Sequence, residues 1–239
     1  MDRELLISYA VYYGGEYKEI VNAINEGKSV PAVQVNNAVT IFDDVYPEKL
    51  LDLKYPPFVL FYKGDISLLK EKAIAIVGSR MPCDYALKAT EALSRSKSDY
   101  VIVSGLAKGI DACAHENALR TIGILGCGID YIYPFVNYEL FKKMEKNDLI
   151  ISEYPGLRKP LAYHFPFRNR IIAALSETLY VMQSSPRSGT MTSLNEALEL
   201  GKEVKVLPYD IFNENGMHNN RLIYEGATPI TVDEIAICR

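Results

Sequence analysis

The sequence predicts a doubly wound α/β fold with a mainly parallel sheet and a small N-terminal subdomain. Two observations point there. From residue 71 onward, six short β-rich runs alternate with helix-like stretches, and each run is apolar on both faces. Strands covered on both sides by helices carry that pattern, because neither face meets water. The connections between runs and helices are also short, as βαβ units prefer.

In chain order the runs are KAIAIVGSR (72–80), YVIVSGLA (100–107), TIGILGCG (121–128), DLIISEYP (148–155), ETLYVMQ (177–183) and EVKVLPY (203–209). Helices are expected over 84–97, 110–119, 137–146, 167–176 and 190–200. Asp111 and Thr190 stand where a cap or first turn belongs, and Gly201 stands where the last helix closes. The first 50 residues read differently. EYKEIVNAINEG (16–27) has helical spacing, whereas SVPAVQVNNAVTIFDDVYPEKL mixes short β-like runs with turns. A subdomain is therefore expected at 1–50 and the main domain at 51–239, joined through KYPPFVLFYKG (54–64), where Pro56 and Pro57 interrupt regular structure.

A chain of 239 residues that is 49% hydrophobic can bury a large core. Its net charge of -4 argues against a generally basic, DNA-coating protein, so any polyanion site must be a local cluster. The N-terminus lacks the basic, apolar and small-residue regions of a signal peptide, and no stretch of about 18 apolar residues is present. A cytoplasmic protein without membrane contact is expected. Cys83, Cys113, Cys127 and Cys238 form no C-x-x-C pair and have no histidine at ligand spacing, so ordinary thiols are expected and no metal site.

Three strand ends share a feature: each runs into glycine beside hydroxyl or cationic residues before a helix begins. They are Gly78-Ser79-Arg80, then Ser104-Gly105 with Lys108-Gly109, then Ser188-Gly189-Thr190. In a parallel sheet all three lie at the carboxyl edge, where ligands of open α/β sheets collect. Glycine lets a ligand approach the backbone, and N–H groups at helix starts favour an anion. Tight strand-to-helix turns are the plainer use of the same glycines.

HFPFRNRIIAAL (164–175) falls between the fourth and fifth runs and should border the same edge. Two readings of Arg168 and Arg170 stand: with Arg80 and Lys108 they line a groove for several phosphates, or they pair with carboxylates such as Glu153 or Asp111. His115, four positions after Asp111, is expected to contact that carboxylate along the helix face. No Walker, G-x-S-x-G or G-x-G-x-x-G signature follows the first strand. The G-x-G in GCGID (126–130) is weak evidence by itself.

Read in order, AIVGSR, IVSGLAKGIDACAH, GCGIDYIYP, ISEYP, FPFRNRIIAALS, SGTMTSLNEALELGKEV and NNRLIYEGATPI resemble DNA-processing protein A, the DprA/Smf family. The upstream YPEKLLDLKYPPFVLFYKG is similar too, so the resemblance spans roughly residues 45 to 230. It implies an extended Rossmann-like domain that binds single-stranded DNA in a basic pocket, forms a homodimer and helps load the RecA recombinase during natural transformation. No catalytic residue and no cofactor are implied.

Carried over by position, Gly78, Ser79 and Arg80 match the first phosphate loop, and Ser104, Gly105, Lys108 and Gly109 the second. Phe165, Arg168, Asn169 and Arg170 match the arginine block, and Ser188, Gly189 and Thr190 the last loop. Phe165 and Phe167 are candidates for stacking on bases. Gln183 stands where the family commonly has an acidic residue. Members often have a longer helical N-terminal domain and sometimes a C-terminal winged helix, so a minimal or divergent member is expected.

Two other functions compete. A nucleoside monophosphate phosphoribohydrolase of the related fold would need P-G-G-x-G-T-x-x-E, but Pro-Gly-Gly is missing and Ser193 holds the glutamate slot, with Glu196 one turn on. A nucleotide sensor could use the same phosphate cradle, and would saturate with a mono- or dinucleotide.

Overall fold

The computed structural model describes residues 2–186 and 188–235; Cys238 lies outside the described residues. Its elements are α1 (Arg3–Tyr12), α2 (Tyr17–Glu26), β1 (Ala38–Thr40), β2 (Val59–Gly64), β3 (Ala73–Val77), α3 (Asp84–Ser96), β4 (Val101–Ser104) and α4 (Ile110–Asn117). These are followed by β5 (Thr121–Ile124), α5 (Tyr138–Asn147), β6 (Leu149–Ser152), α6 (His164–Leu175), β7 (Thr178–Val181), α7 (Gly189–Glu199), β8 (Glu203–Val206), α8 (Met217–Tyr224) and β9 (Thr228–Pro229).

All six expected parallel strands form, as β3 to β8, each lying within the first part or middle of its apolar run. Sheet order is β1-β2-β6-β5-β4-β3-β7-β8-β9, parallel from β6 to β9, with β1 and β2 antiparallel at one edge. The chain steps from β3 outward through β4, β5 and β6, then returns to place β7 against the other side of β3. That reversal is the topological switch point of a doubly wound sheet, and it opens a crevice beyond the carboxyl ends of β3 and β7.

Burial explains the pattern of the runs. Ala73, Ala75 and Val77 of β3 belong to the core shared with Ile171, Ile172 and Leu175 of α6 and Leu194 of α7. Ile74 and Ile76 face the opposite way, toward Ala86 and Leu93 of α3 and Ile110 of α4. Every residue of β3 is buried, because successive side chains enter two different cores.

The segment read as a Pro-interrupted joint is instead strand β2 from Val59, beginning just after Pro56 and Pro57. Prolines are tolerated there because they precede the hydrogen-bonded part of the strand. The sheet also continues across the boundary expected near residue 50: β1 pairs with β2, with Ala38 opposite Phe61, and Leu6 and Ile20 of α1 and α2 pack with Phe61 and Ile150. Helices α1 and α8 had no counterpart among the expected elements.

Candidate functional site

A cleft of about 700 Å³ lies at the switch point, lined by Gly78, Ser79 and Arg80 after β3, by Ser184, Ser185, Ser188, Gly189 and Thr190 after β7, and by Phe165, Arg168 and Asn169 of α6. A second cavity of about 230 Å³ adjoins it and adds Gly105 and Lys108. Arg80, Ala107, Phe165 and Arg168 line both. The structure thus gathers almost every expected site residue around one edge, and leaves Ser104, Gly109 and Arg170 outside the lining.

The glycines serve the fold in different ways. A Cβ on Gly78 would stand 2.7 Å from Ile110, and one on Gly105 would meet Arg168 and Asp111 within 2.8 Å. Gly109, with φ +78°, would meet the Ser79 carbonyl at 2.4 Å. These three positions let neighbouring loops press together, so the plainer reading of tight packing holds for them. Gly189 differs, since a Cβ there would meet nothing within 4 Å. It is exposed at the N-terminus of α7, where the first backbone N–H groups lack intrahelical acceptors.

The second loop is already occupied from within. Asp111 folds back so that its Oδ2 accepts from the N–H of Gly105 at 3.2 Å and of Ala107 at 3.3 Å. Between them the Leu106 N–H donates to His115 Nε2 at 3.3 Å. Three consecutive donors that could have cradled a phosphate are thus committed to side chains. Asn137 Nδ2 donates to the carbonyls of Leu106 and Ala107 at 2.9 and 3.1 Å and braces the loop from outside. Leu106 itself has φ +55°, unusual for a residue with a branched side chain.

His115 therefore departs from the expected helix-face contact with Asp111. Its Nε2 is the acceptor for Leu106, so Nδ1 carries the proton and donates to Thr121 Oγ1 at 2.6 Å. Burial, reinforced by the Arg168 charge, lowers its pKa to about 3. It is a neutral strut.

Arg168 is only 4% exposed. Its Nε donates to Asn169 Oδ1 at 3.1 Å, and one terminal nitrogen donates to the carbonyls of Gly105, at 2.9 Å, and Ile124. Burial lowers its pKa to about 10, opposed by the Asp111 carboxylate, so it stays charged at neutral pH. The same burial pushes Asp111 upward, against the pull of Arg168 and two N–H groups. Arg168 forms the floor of both cavities as a fixed positive charge. Asn169 then reaches across to the Gly189 carbonyl at 3.1 Å and ties α6 to the last loop.

Arg170 does not join the groove. It donates to both oxygens of Glu153 at 2.6 and 2.7 Å, and to the carbonyls of Tyr55 and Phe167. The pairing with Glu153 that the sequence left open is the one the fold makes, because Arg170 lies two residues past Arg168 and so faces away from the cleft. Phe167 goes with it: its ring lies 3.7 Å from the Arg170 guanidinium and packs with Tyr17 and Tyr55. Phe165 alone of the two aromatics faces the cavities, with the Arg80 guanidinium 5.7 Å from its ring centroid.

Among the described residues, Arg80 and Lys108 are exposed cations at the rim. Gln183, flagged as a departure, accepts from the Cys83 N–H at 2.9 Å and caps the start of α3. Asn219 of α8 was not anticipated. Fully buried, it accepts from the N–H and hydroxyl of Ser184 and donates to the carbonyls of Met182 and Leu207, fixing the strand ends that bound the cleft. Nothing in local spacing marks such a residue, since its partners are distant in the chain.

The family model for DNA recombination-mediator protein A matches residues 37–238. DNA processing protein DprA of Bacillus subtilis is 40% identical over 201 residues, covering 81% of this chain and 68% of that protein. Protein Smf of Escherichia coli is 36% identical over 198 residues, covering 80% of this chain and 53% of its own length. The X-ray structure of DNA processing protein A from Streptococcus pneumoniae superposes with a TM-score of 0.78 at 36% identity, covering 90% of this chain and 77% of that one. A Helicobacter pylori DNA processing protein A structure, described for its single-stranded DNA binding mode, gives a TM-score of 0.75 at 36% identity, covering 81% of this chain and 90% of that one. With its switch-point cleft, its arginine block and a family match over most of its length, this chain belongs to the DNA recombination-mediator protein A family.

Proposed function

We propose that the chain binds single-stranded DNA along the switch-point cleft and acts as a non-enzymatic mediator of recombination. The observation that carries this reading is an open cleft of about 700 Å³ with hydroxyl-rich walls, a buried arginine floor and exposed Arg80 and Lys108 at its rim. Ser79, Arg80, Ser188, Gly189 and Thr190 hold backbone phosphates in this reading, which positions a strand without reading its sequence. Lys108 serves a neighbouring phosphate. Arg168 and Asn169 act from beneath, whereas Arg170 supports α6 through Glu153. The relative with a described single-stranded DNA binding mode supports the choice of ligand.

The phosphoribohydrolase alternative is weakened by position, because Glu196 does not line the cleft and Ser193 does. The family resemblance further suggests a homodimer and transfer of the strand to a RecA-type recombinase in the cytoplasm. Exposed Ile211 and Phe212 and the face of α8 that bears Met217 offer an apolar surface for self-association. No helix among the described residues is long and apolar enough to cross a membrane.

Fluorescence anisotropy with labelled strands of increasing length tests the reading. Affinity should rise with length, fall with salt and drop in Arg80→Ala and Lys108→Ala. Those variants are preferable to changes at Arg168 or Arg170, whose burial confounds binding with folding. Saturation by a mononucleotide with no gain from length would favour the nucleotide sensor instead.

A further inference from the structure

Helix α6 carries Phe165, Arg168 and Asn169 to the cleft, yet its own sequence supplies no cap: Tyr163 at the N-cap makes no side-chain hydrogen bond to the helix, and the first turn holds no acidic residue. A carboxylate is favoured at such an end, because the first N–H groups lack acceptors and the helix dipole is positive there. One arrives from 148 residues earlier in the chain. Glu16 stands at the N-cap of α2, but its side chain does not cap that helix. Its Oε1 accepts instead from His164 Nε2 at 3.0 Å, from the Tyr163 hydroxyl at 2.8 Å and from a terminal nitrogen of Arg158 at 2.6 Å. The Leu161 N–H donates to His164 Nδ1 at 3.4 Å, so Nε2 carries the proton that goes to Glu16. Close approach of the backbones makes this possible: a Cβ on Gly15 would stand 2.3 Å from the Glu153 carbonyl, so the turn between α1 and α2 presses on the segment that joins β6 to α6. His164 is fully buried, and its ring stacks on Tyr154 with centroids 3.9 Å apart at 23°. His164 and Arg168 are four residues apart on one helix and share a face. Holding the imidazole therefore fixes the rotation of the first turn, which sets where the Phe165 ring and the Arg168 guanidinium meet the cleft.

Resting on the single-strand reading, we propose that Glu16 is a positioning residue for strand binding: it touches no ligand, and it holds the start of α6 so that Phe165 and Arg168 are presented to the strand. The N-terminal helices α1 and α2, none of whose residues lines either cavity, thereby set the affinity of the cleft.

The test separates affinity from folding. Wild type, Glu16→Ala, Tyr163→Phe, the double variant and Tyr9→Phe are titrated with a labelled thymidine strand, and the active fraction of each is counted at saturation. Tyr9→Phe removes a hydrogen bond to the Lys28 carbonyl inside the N-terminal segment without touching α6, so it controls for general loosening. Glu16→Ala should bind about tenfold more weakly at full active fraction, and Tyr163→Phe about threefold more weakly, the scale of residues that act on a site without meeting its ligand. The salt slope should not change, because Arg80 and Lys108 still meet the phosphates. The double variant should be no weaker than Glu16→Ala, since both changes break one cluster, whereas a direct Tyr163 contact with the strand would add its own loss. Tyr9→Phe should bind as wild type does. Should Glu16→Ala fail to fold, Tyr163→Phe decides alone, because Tyr163 is exposed and its ring is retained. Wild-type affinity in both variants overturns the proposal. A loss shared by Tyr9→Phe, or one seen only as a smaller active fraction, assigns the cluster to folding and overturns it too. Failure of wild type to bind the strand overturns the single-strand reading and this proposal with it.

Discussion

At Asp111 a single carboxylate occupies the place that a bound anion would take at the start of α4. It accepts from the N–H groups of Gly105 and Ala107 and faces the Arg168 guanidinium, so the second loop is shaped before any ligand arrives. Asp111→Ala should leave those donors and a buried charge without their partner, at a cost of about 3–5 kcal/mol, read from the urea midpoint. His115 gives a different signature. Its folded pKa, about 3, lies below its ordinary 6.5, so as pH falls the unfolded chain takes the proton first. Its contribution to stability is intact above pH 6.5 and is lost on descent toward about 3. Asp111, pushed upward, acts with the opposite sign, so the informative quantity is a difference between proteins. Wild type should lose stability relative to His115→Gln below pH 6.5, at up to about 1.4 kcal/mol per pH unit, measured by denaturant unfolding across that range.

Among the elements, α6 separates two tasks along one turn. Arg168 points to the cleft floor, and Arg170 points to Glu153, the residue that follows β6. Both Arg170 and Glu153 are buried, so removal of one partner strands a charge. Glu153→Ala should destabilise by about 3–5 kcal/mol, and combining it with Arg170→Met should recover most of that loss in thermal unfolding. The loops that follow β4 and β7 make a second contrast. Gly109→Ala should destabilise by about 1 kcal/mol or more, because its φ of +78° and the Ser79 carbonyl leave no room for a Cβ. Gly189→Ala has room, so its unfolding should change little while strand affinity falls, since the new methyl stands where a phosphate would approach. Equal affinity of Gly189→Ala and wild type would remove the last loop from the binding surface.

For the whole molecule, a net charge of -4 means that attraction to a polyanion is local to the cleft rather than general. Binding should therefore weaken with salt by about 0.7 log units per log unit of salt for each phosphate neutralised. Arg80→Ala and Lys108→Ala should each flatten that slope by about 0.7, read from titrations at several ionic strengths. Two exposed cations at the rim among the described residues imply a shallow slope by the standard of DNA-coating proteins. Self-association would double the number of clefts on one strand and steepen it, so sedimentation of wild type beside Phe212→Lys separates the two sources.

The doubly wound core was legible in the residues because it follows from local repetition. Runs such as AIAIV must be buried on both faces, and short turns leave helices as the only covers. That argument also placed the glycine loops and the arginine block at one edge. It could not say which donors in those loops remain available. Asp111 and His115 consume the N–H groups of residues 105 to 107, and Glu153 consumes Arg170, through partners up to 17 positions apart. β2 and β1 were hidden for a related reason: Pro56 and Pro57 announce a break, while the strand's pairing with β6 depends on a segment almost ninety residues later. Periodicity is a property of neighbours in the chain, and it dictated the layers. The choice of which polar groups face a ligand and which face one another is a competition among groups far apart in the chain, and only the folded arrangement resolves it.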